Sequence, residues 1–430
     1  MDPLQGSNGM VLWKKVGTLC RFSALGAAVW VMALVGQTAR ALENAKVMPQ
    51  GISRFNLRVV NTTIREKTDD QGQARPLAQP LSKDLTFKDV LQGEKDPLKR
   101  ELTAGFLLAN GLAESATLGS FGADLAGRVT VYAPIYSFGI TDRLTLAATV
   151  PVYQASMNVS VGFRANSGSQ TFRDTLVSGF NNQAEGARDF VSQINDAVGR
   201  LGSKLTENGY RELEPWQETA LGDAQLLAKY ALVQGGPVQM AVMAGAVAPT
   251  GRVDDPDNLI DVGFGDGQWD GLVQLSLDQP VGQSGMFFNQ YARYTAQFED
   301  QPTLRMKTAD EVIEVPKKRV QRDLGDKLNA GVSVQFEGPS GLTAGTGYNY
   351  FYKGQDVVKG APTASQNEWQ RDTLQRAHEA EVSVGYSAVP AFRRKEVAVP
   401  FELSLSYRHQ MFSDNMPVAH QLQFESGIFF

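Results

Sequence analysis

The chain has 430 residues, a formal charge of −5, 42% hydrophobic and 20% charged residues, 42 glycines and one cysteine, Cys20. This content of apolar residues argues against disorder, and after position 41 there is no run of about 20 apolar residues to form a spanning helix. A lone cysteine excludes a disulfide framework, the acidic balance argues against binding nucleic-acid phosphates, and glycine above the usual ~7% points to turn-rich β-structure.

At the N-terminus, Lys14, Lys15 and Arg21 precede an apolar run from Phe22 to Gly36, followed by Thr38-Ala39-Arg40-Ala41. A basic region, a short apolar stretch and a small-x-small site define a secretory signal, so residues 1–41 are expected to be removed after Ala41. A retained anchor is the alternative, and Met10 serves equally well as the start. Cys20 lies before the apolar run, where it is not a lipidation site. The mature chain then holds no cysteine, which suits an oxidising compartment.

Residues 42–126 form an N-terminal segment. Its first strand spans Gly51 to Thr62, with Phe55, Leu57 and Val59 on one face. A first strand at Leu102 to Ala113 is the alternative, leaving 42 to about 100 as a periplasmic or lumenal segment. Against it, Asp96-Pro97, Leu98, Leu102, Phe106 and a closing Gly111 spell a capped helix.

From Gly127 to the C-terminus the repeating unit is a strand with alternating apolar residues. Leu144, Leu146, Ala148, Val150 and Val152 oppose Thr145, Ala147 and Thr149; Leu328, Ala330, Val332, Val334 and Phe336 oppose Asn329, Gly331, Ser333 and Gln335. Phe401, Leu403, Leu405 and Tyr407 oppose Glu402, Ser404, Ser406 and Arg408; further segments start near Leu221, Val238, Trp269, Phe287, Leu342, Ala380 and Val418. Short turn-like connections at 138–142, 234–237, 278–285 and 337–341 alternate with long polar ones at 165–218, 250–267, 299–325 and 353–376. Sorting by side in this way predicts an all-β, transmembrane, antiparallel up-and-down barrel of about twelve strands, with helical segments in the long outer loops. A β-sandwich also alternates, but its connections do not sort by side.

The expected location is the outer membrane of a Gram-negative envelope. The closing strand carries Leu422, Phe424, Ile428 and a terminal Phe430, an ending that resembles the signal read by barrel-insertion machinery. Aromatics at strand ends (Tyr132, Tyr136, Phe138, Trp269, Phe287, Phe288, Tyr348, Tyr350, Tyr352, Phe401, Tyr407, Phe412) are placed where interfacial girdles lie. Lys229, Asp270, Asn289, Tyr291, Arg293, Gln297, Glu379, Glu381, Glu402 and Arg408, with Thr295 and Lys353, fall out of phase with the apolar face and are candidates for the lumen. A charge facing lipid is costly, so a spanning strand must turn it inward. There it either lines a solute path or pairs with neighbours to fill the barrel.

Phe190, Ile194, Val198, Leu201 and Leu205 recur at helical spacing in an outer loop and could form a lid or pack on that loop. The helix from Leu98 is a second element able to cover or enter the mouth.

The stretches Leu221-Gly-Asp-Ala-Gln-Leu-Leu-Ala-Lys-Tyr230, Gly235-Gly236, Ala248-Pro-Thr-Gly251 and Gly263-Phe-Gly-Asp-Gly-Gln-Trp-Asp270 resemble the family named for the meta-pathway of phenol degradation. Phe138-Gly-Ile-Thr-Asp-Arg143 before Val150-Pro151 is similar to a periplasmic turn of that family. The resemblance covers about Gly127 to Phe298 and implies an outer-membrane barrel acting as a channel for hydrophobic or aromatic compounds. The insertion at 165–218 departs from the pattern and puts a shared gating mechanism in doubt.

Enzyme chemistry finds little support. Asp254, Asp255, Asp257, Asp261, Asp266 and Asp270 lack calcium-loop spacing and read as a solvated acidic loop. Gly263-x-Gly265-x-Gly267 precedes a strand where a dinucleotide motif needs a helix. A hydrolase pairing of Ser404 or Ser406 with His420 is the minor alternative. No cofactor or metal is expected. The leading reading is a monomeric channel for small hydrophobic or aromatic solutes, with membrane lipid and insertion machinery as partners. A sealed barrel presenting outer loops is the competing one.

Overall fold

The computed structural model describes residues 43–88, 97–109, 111, 117–167, 170, 197–309 and 311–430. Alternation of apolar and polar residues lets each strand turn one face to lipid and the other inward. The chain closes into an antiparallel barrel of twelve strands. These are β1 (Ser53–Ile64), β2 (Thr117–Thr141), β3 (Leu144–Thr149 and Val152–Ala165) and β4 (Trp216–Leu221 and Ala224–Val233). Next come β5 (Gln239–Ala248), β6 (Asp270–Val281), β7 (Met286–Gln297) and β8 (Lys327–Glu337). The last four are β9 (Leu342–Lys353), β10 (Gln375–Ser387), β11 (Phe401–Asp414) and β12 (Gln421–Phe429). Closure is made by β1, whose Phe55 pairs with Ile428 on one side and Tyr136 on the other.

Every strand has apolar residues on its outer face, among them Phe55, Tyr132, Leu146, Leu226, Val242 and Val273, then Tyr294, Val332, Tyr348, Val384, Leu405 and Phe424. No helix among the described residues is long and apolar enough to cross a membrane. The spanning surface is this outward band. Leu422 and Ile428 belong to it, and the exposed Phe430 donates its amide to Ser53 O at 3.0 Å.

Among the described residues, four α-helices lie in the connections: α1 (Pro97–Ala109), α2 (Ala197–Glu207), α3 (Thr363–Gln370) and α4 (Val389–Arg393). The 102–113 segment is thus largely α1, and the first strand is β1. Three expectations change in detail. β10 begins at Gln375, five residues before Ala380, and β4 begins at Trp216, before Leu221. Phe287 points into the mouth at the turn end, where the Lys46 ammonium lies 5.0 Å from its ring, so it is no part of a lipid-facing girdle. Finally, the short-long alternation inverts at the end of the chain. The turn-end connection 388–400 contains α4, whereas the loop-end connection 415–420 is short.

Candidate functional site

The lumen has two chemically distinct halves. Toward the short-turn end, which is periplasmic in this architecture, inward side chains are polar and densely paired. Arg408 Nη2 donates to Glu381 Oε2 at 2.6 Å and lies near Glu379. Arg293 Nε donates to Gln274 Oε1 at 2.8 Å, Asn289 Nδ2 to Asp278 Oδ1 at 2.7 Å, and Tyr291 OH to Asn349 Oδ1 at 3.0 Å. Arg54 reaches Glu402 at 2.9 Å, and Arg54 and Arg58 each approach Glu425 at 3.6 Å. Lys229 is buried on the same inward face and Glu402 is half-buried at the rim, whereas Asp270 and Gln297 are buried inward at the loop ends of β6 and β7. Lys353 is buried against Asp356 at the top of β9. The sequence reading omitted Arg54, Asn56 and Arg58, although naming Phe55, Leu57 and Val59 as the outer face already assigned their neighbours inward.

Residues 43–50 enter this polar half from the periplasmic end. Ala45 N donates to Asp278 Oδ2 at 2.9 Å, Met48 N to Thr145 Oγ1 at 2.7 Å and Gln50 N to Asp142 Oδ1 at 3.0 Å. Lys229 Nζ lies 3.4 Å from Asn44 Oδ1, and Lys46 pairs with Glu337. The segment passes so close to β2 that a Cβ on Gly139 would sit 2.0 Å from Pro49 O. A cavity of about 30 Å³ is bordered by Glu43, Asn44, Asn289, Tyr291, Asn349 and Glu381. That is room for a couple of water molecules.

Toward the loop end the inward faces of β2 and β3 are apolar, with Leu125, Val129, Val131, Tyr153, Ala155 and Met157 buried. Loop 249–269 folds onto them, inserting Ile260, Val262 and Phe264. It docks where the wall is interrupted: β3 breaks at Val150-Pro151 and β4 at Gly222-Asp223, with Gly222 N bonded to Pro151 O at 2.8 Å. Asp223 Oδ1 accepts Gly251 N at 2.8 Å and Oδ2 accepts Asp266 N at 3.4 Å. Gly251 and Gly265 lie back to back, and a Cβ on Gly251 would come within 2.7 Å of Phe264 O and 2.9 Å of Gly265 Cα.

Of the segments that carried the family resemblance, Val150-Pro151, Gly222-Asp223, Ala248–Gly251 and Gly263–Asp270 meet at this junction, whereas 138–143 and Gly235-Gly236 lie at the turn end. The acidic loop is not a solvated one. Arg252 clasps Asp261 at 2.6 and 3.0 Å, Arg211 reaches Asp255 at 2.7 Å, and Asp257 takes Arg305 and Lys317 at 2.6 and 2.7 Å. Gly251→Ala should unseat the loop, because backbone on both sides must shift. The check is faster limited proteolysis within 249–269, and an unchanged digestion pattern would contradict the docking.

Above the mouth, the other outer loops assemble a cap. Leu201 and Leu205 of α2 are buried against Leu81, Phe121, Tyr210, Leu259, Val312 and Ile313. Val198 is exposed, and Phe190 and Ile194 lie outside the described residues. Arg305 links these pieces: it bonds Asn208 O, Gly209 O and Asp257, lies 3.6 Å from the Tyr210 ring centroid, and its own carbonyl accepts Trp369 Nε1 from α3 at 2.9 Å. In α1, Leu98 and Leu108 are exposed.

The hydrolase pairing is not assembled. Ser404 and Ser406 face inward on β11, whereas His420 is exposed on the outer surface, stacked on His409 at 4.6 Å. The barrel wall separates them.

A closed twelve-stranded barrel with an outward apolar band defines the class: a transmembrane β-barrel. Among solved structures, the fold is similar to an outer-membrane channel of Pseudomonas putida F1. The TM-score is 0.51 at 10% identity, over 92% of this chain and 100% of that one. A FadL homologue of Pseudomonas aeruginosa aligns over 94% of this chain and 97% of its own at TM-score 0.35 and 9% identity. The toluene transporter of Ralstonia pickettii aligns over 90% and 91% at 0.34 and 10% identity. No family model matches the chain, and no curated protein matches it. The phenol-degradation family is thus not confirmed.

Proposed function

We propose that the chain is a monomeric outer-membrane channel, of the phenol-degradation type that its motifs resemble, and that it passes small hydrophobic or aromatic solutes by diffusion. In this reading the signal at 1–41 directs export, Leu422, Phe424, Ile428 and Phe430 engage the insertion machinery, and the inward polar residues from Lys229 to Arg408 line the path. The observation that carries it is the apolar inner wall on β2 and β3 above a polar inner half. The similarity of fold to the Pseudomonas putida channel supports it.

The second reading, a sealed barrel acting through its outer loops, is favoured by residues 43–50, which are hydrogen-bonded to inward residues of the lumen. Uptake of labelled toluene by intact cells separates the two. Cells expressing the chain should take it up faster than cells lacking it, and equal rates at every concentration would leave the sealed barrel.

A further inference from the structure

On the outside of the wall, the apolar band of β3, β2, β1, β12 and β11 gives way to polar residues within two steps toward the loop end. Paired neighbours place Val152, Tyr132, Val59, Phe424 and Leu405 in one outward row. Two residues higher the row reads Gln154, Thr130, Asn61, Leu422 and Tyr407. The next holds Ser156, Arg128 and Thr63, and continues through His420 and His409. A cation facing acyl chains is costly, so this upper row lies at the depth of the outer leaflet's headgroups.

Arg128 is exposed in that row, and Arg65 stands exposed one outward position above Thr63. Neither side chain forms a hydrogen bond or ion pair with a described residue, whereas Arg376 on β10 is paired with Asp414 at 2.7 Å. The rings of His409 and His420 stack with centroids 4.6 Å apart, and Thr62 Oγ1 donates to His420 O at 3.0 Å. The wall thus holds two imidazoles beside the two cations, and each imidazole offers an N–H. Asp124, the acid in the outward phase of β2, stands four residues above Arg128. On the opposite wall, β5 to β9 carry no charge in the outward phase, and Val273, Tyr294, Phe298 and Leu328 keep the surface apolar.

We propose that Arg65, Arg128, His409 and His420 form a docking site for the phosphates of an outer-leaflet glycolipid. Each guanidinium can hold two oxygens of one phosphate through parallel N–H donors, and the imidazoles add single ones. Three interstrand spacings separate Arg128 from His409, about 14 Å, which is too wide for one phosphate and suits a headgroup that carries two. The acyl chains of the same lipid then lie on Val59, Leu422 and Tyr407, in the rows below. The site goes beyond the channel reading and does not depend on it, because it lies outside the wall and touches no lumen residue.

The test uses the full chain in detergent micelles, with native mass spectrometry measuring bound lipid. The probes are bisphosphorylated lipid A, the same lipid stripped of both phosphates, and inorganic phosphate. The phosphorylated lipid should bind about tenfold tighter than the stripped one, the scale of one hydrogen bond to a charged group. Replacing both Arg65→Gln and Arg128→Gln should abolish that preference, and His409→Gln with His420→Gln should reduce it. Arg143→Gln, at an exposed cation of the turn end, should leave it unchanged. Equal affinity for the two lipids, or a preference that survives the loss of both arginines, would overturn the proposal. Displacement of the lipid by an equal concentration of inorganic phosphate would also overturn it, marking a site for the free ion. Should the arginine variant lose its compact gel mobility, the comparison of the two lipids on the unmodified chain carries the test alone.

Discussion

Deleting residues 43–50 from the mature chain is expected to convert a poorly conducting barrel into an open pore in planar bilayers. These residues fill the periplasmic half of the lumen, and their hold is almost entirely polar. Asp278→Ala should achieve part of the same result. Its fully buried carboxylate accepts both Ala45 N and Asn289 Nδ2, so alanine leaves two buried donors unmatched. At about 1–3 kcal/mol for a lost buried partner, the seated population should fall by roughly one to two orders of magnitude. Single-channel conductance should rise in the order wild type, Asp278→Ala, deletion. Equal conductance in all three would mean that the segment does not obstruct the path.

Arg408→Leu should produce the largest loss of stability. Arg408 stands between Glu381 at 2.6 Å and Glu379 at 3.8 Å, and all three side chains are buried in the lumen. Removing the cation takes the Arg408 counter-charge away from two neighbouring buried carboxylates. Breaking a buried pair from one side costs about 3–5 kcal/mol, whereas replacing both partners is often neutral. The temperature at which the barrel loses its compact gel mobility should therefore drop sharply in Arg408→Leu. It should recover in part when Glu381→Gln is added. A single variant as heat-resistant as the parent would show that the network carries no stability.

The strand architecture was legible because a lipid-facing surface imposes a period of two on every spanning strand, as in Leu328 to Phe336. Inward charges such as Arg293 and Arg408 could be placed by phase alone, since the opposite face forbids them. Two features escaped for one reason: what fills a lumen need not be periodic. Residues 43–50 have neither alternation nor helical spacing, and their contacts are mostly backbone amides, which any residue but proline supplies. Loop 249–269 was misread as solvated because its aspartates suggested exposure. Their cationic partners, Arg211, Arg305 and Lys317, are far away in sequence or belong to other loops. The apolar inner wall was visible as a weakened alternation, with Leu125, Val129 and Val131 on the face opposite Tyr132 and Tyr136, but it resembles an ordinary core until closure turns it into a lumen.

The seating of residues 43–50 also orders events in time. On the export route proposed above they follow directly behind the signal, yet their partners Thr145, Asp278 and Glu337 belong to β3, β6 and the end of β8. None of these is in place until the sheet has curled round and β12 has met β1. During insertion the polar half of the barrel must therefore stand full of water, its charges hydrated and its bore unobstructed. The segment nearest the N-terminus among the described residues is thus among the last to reach its final position.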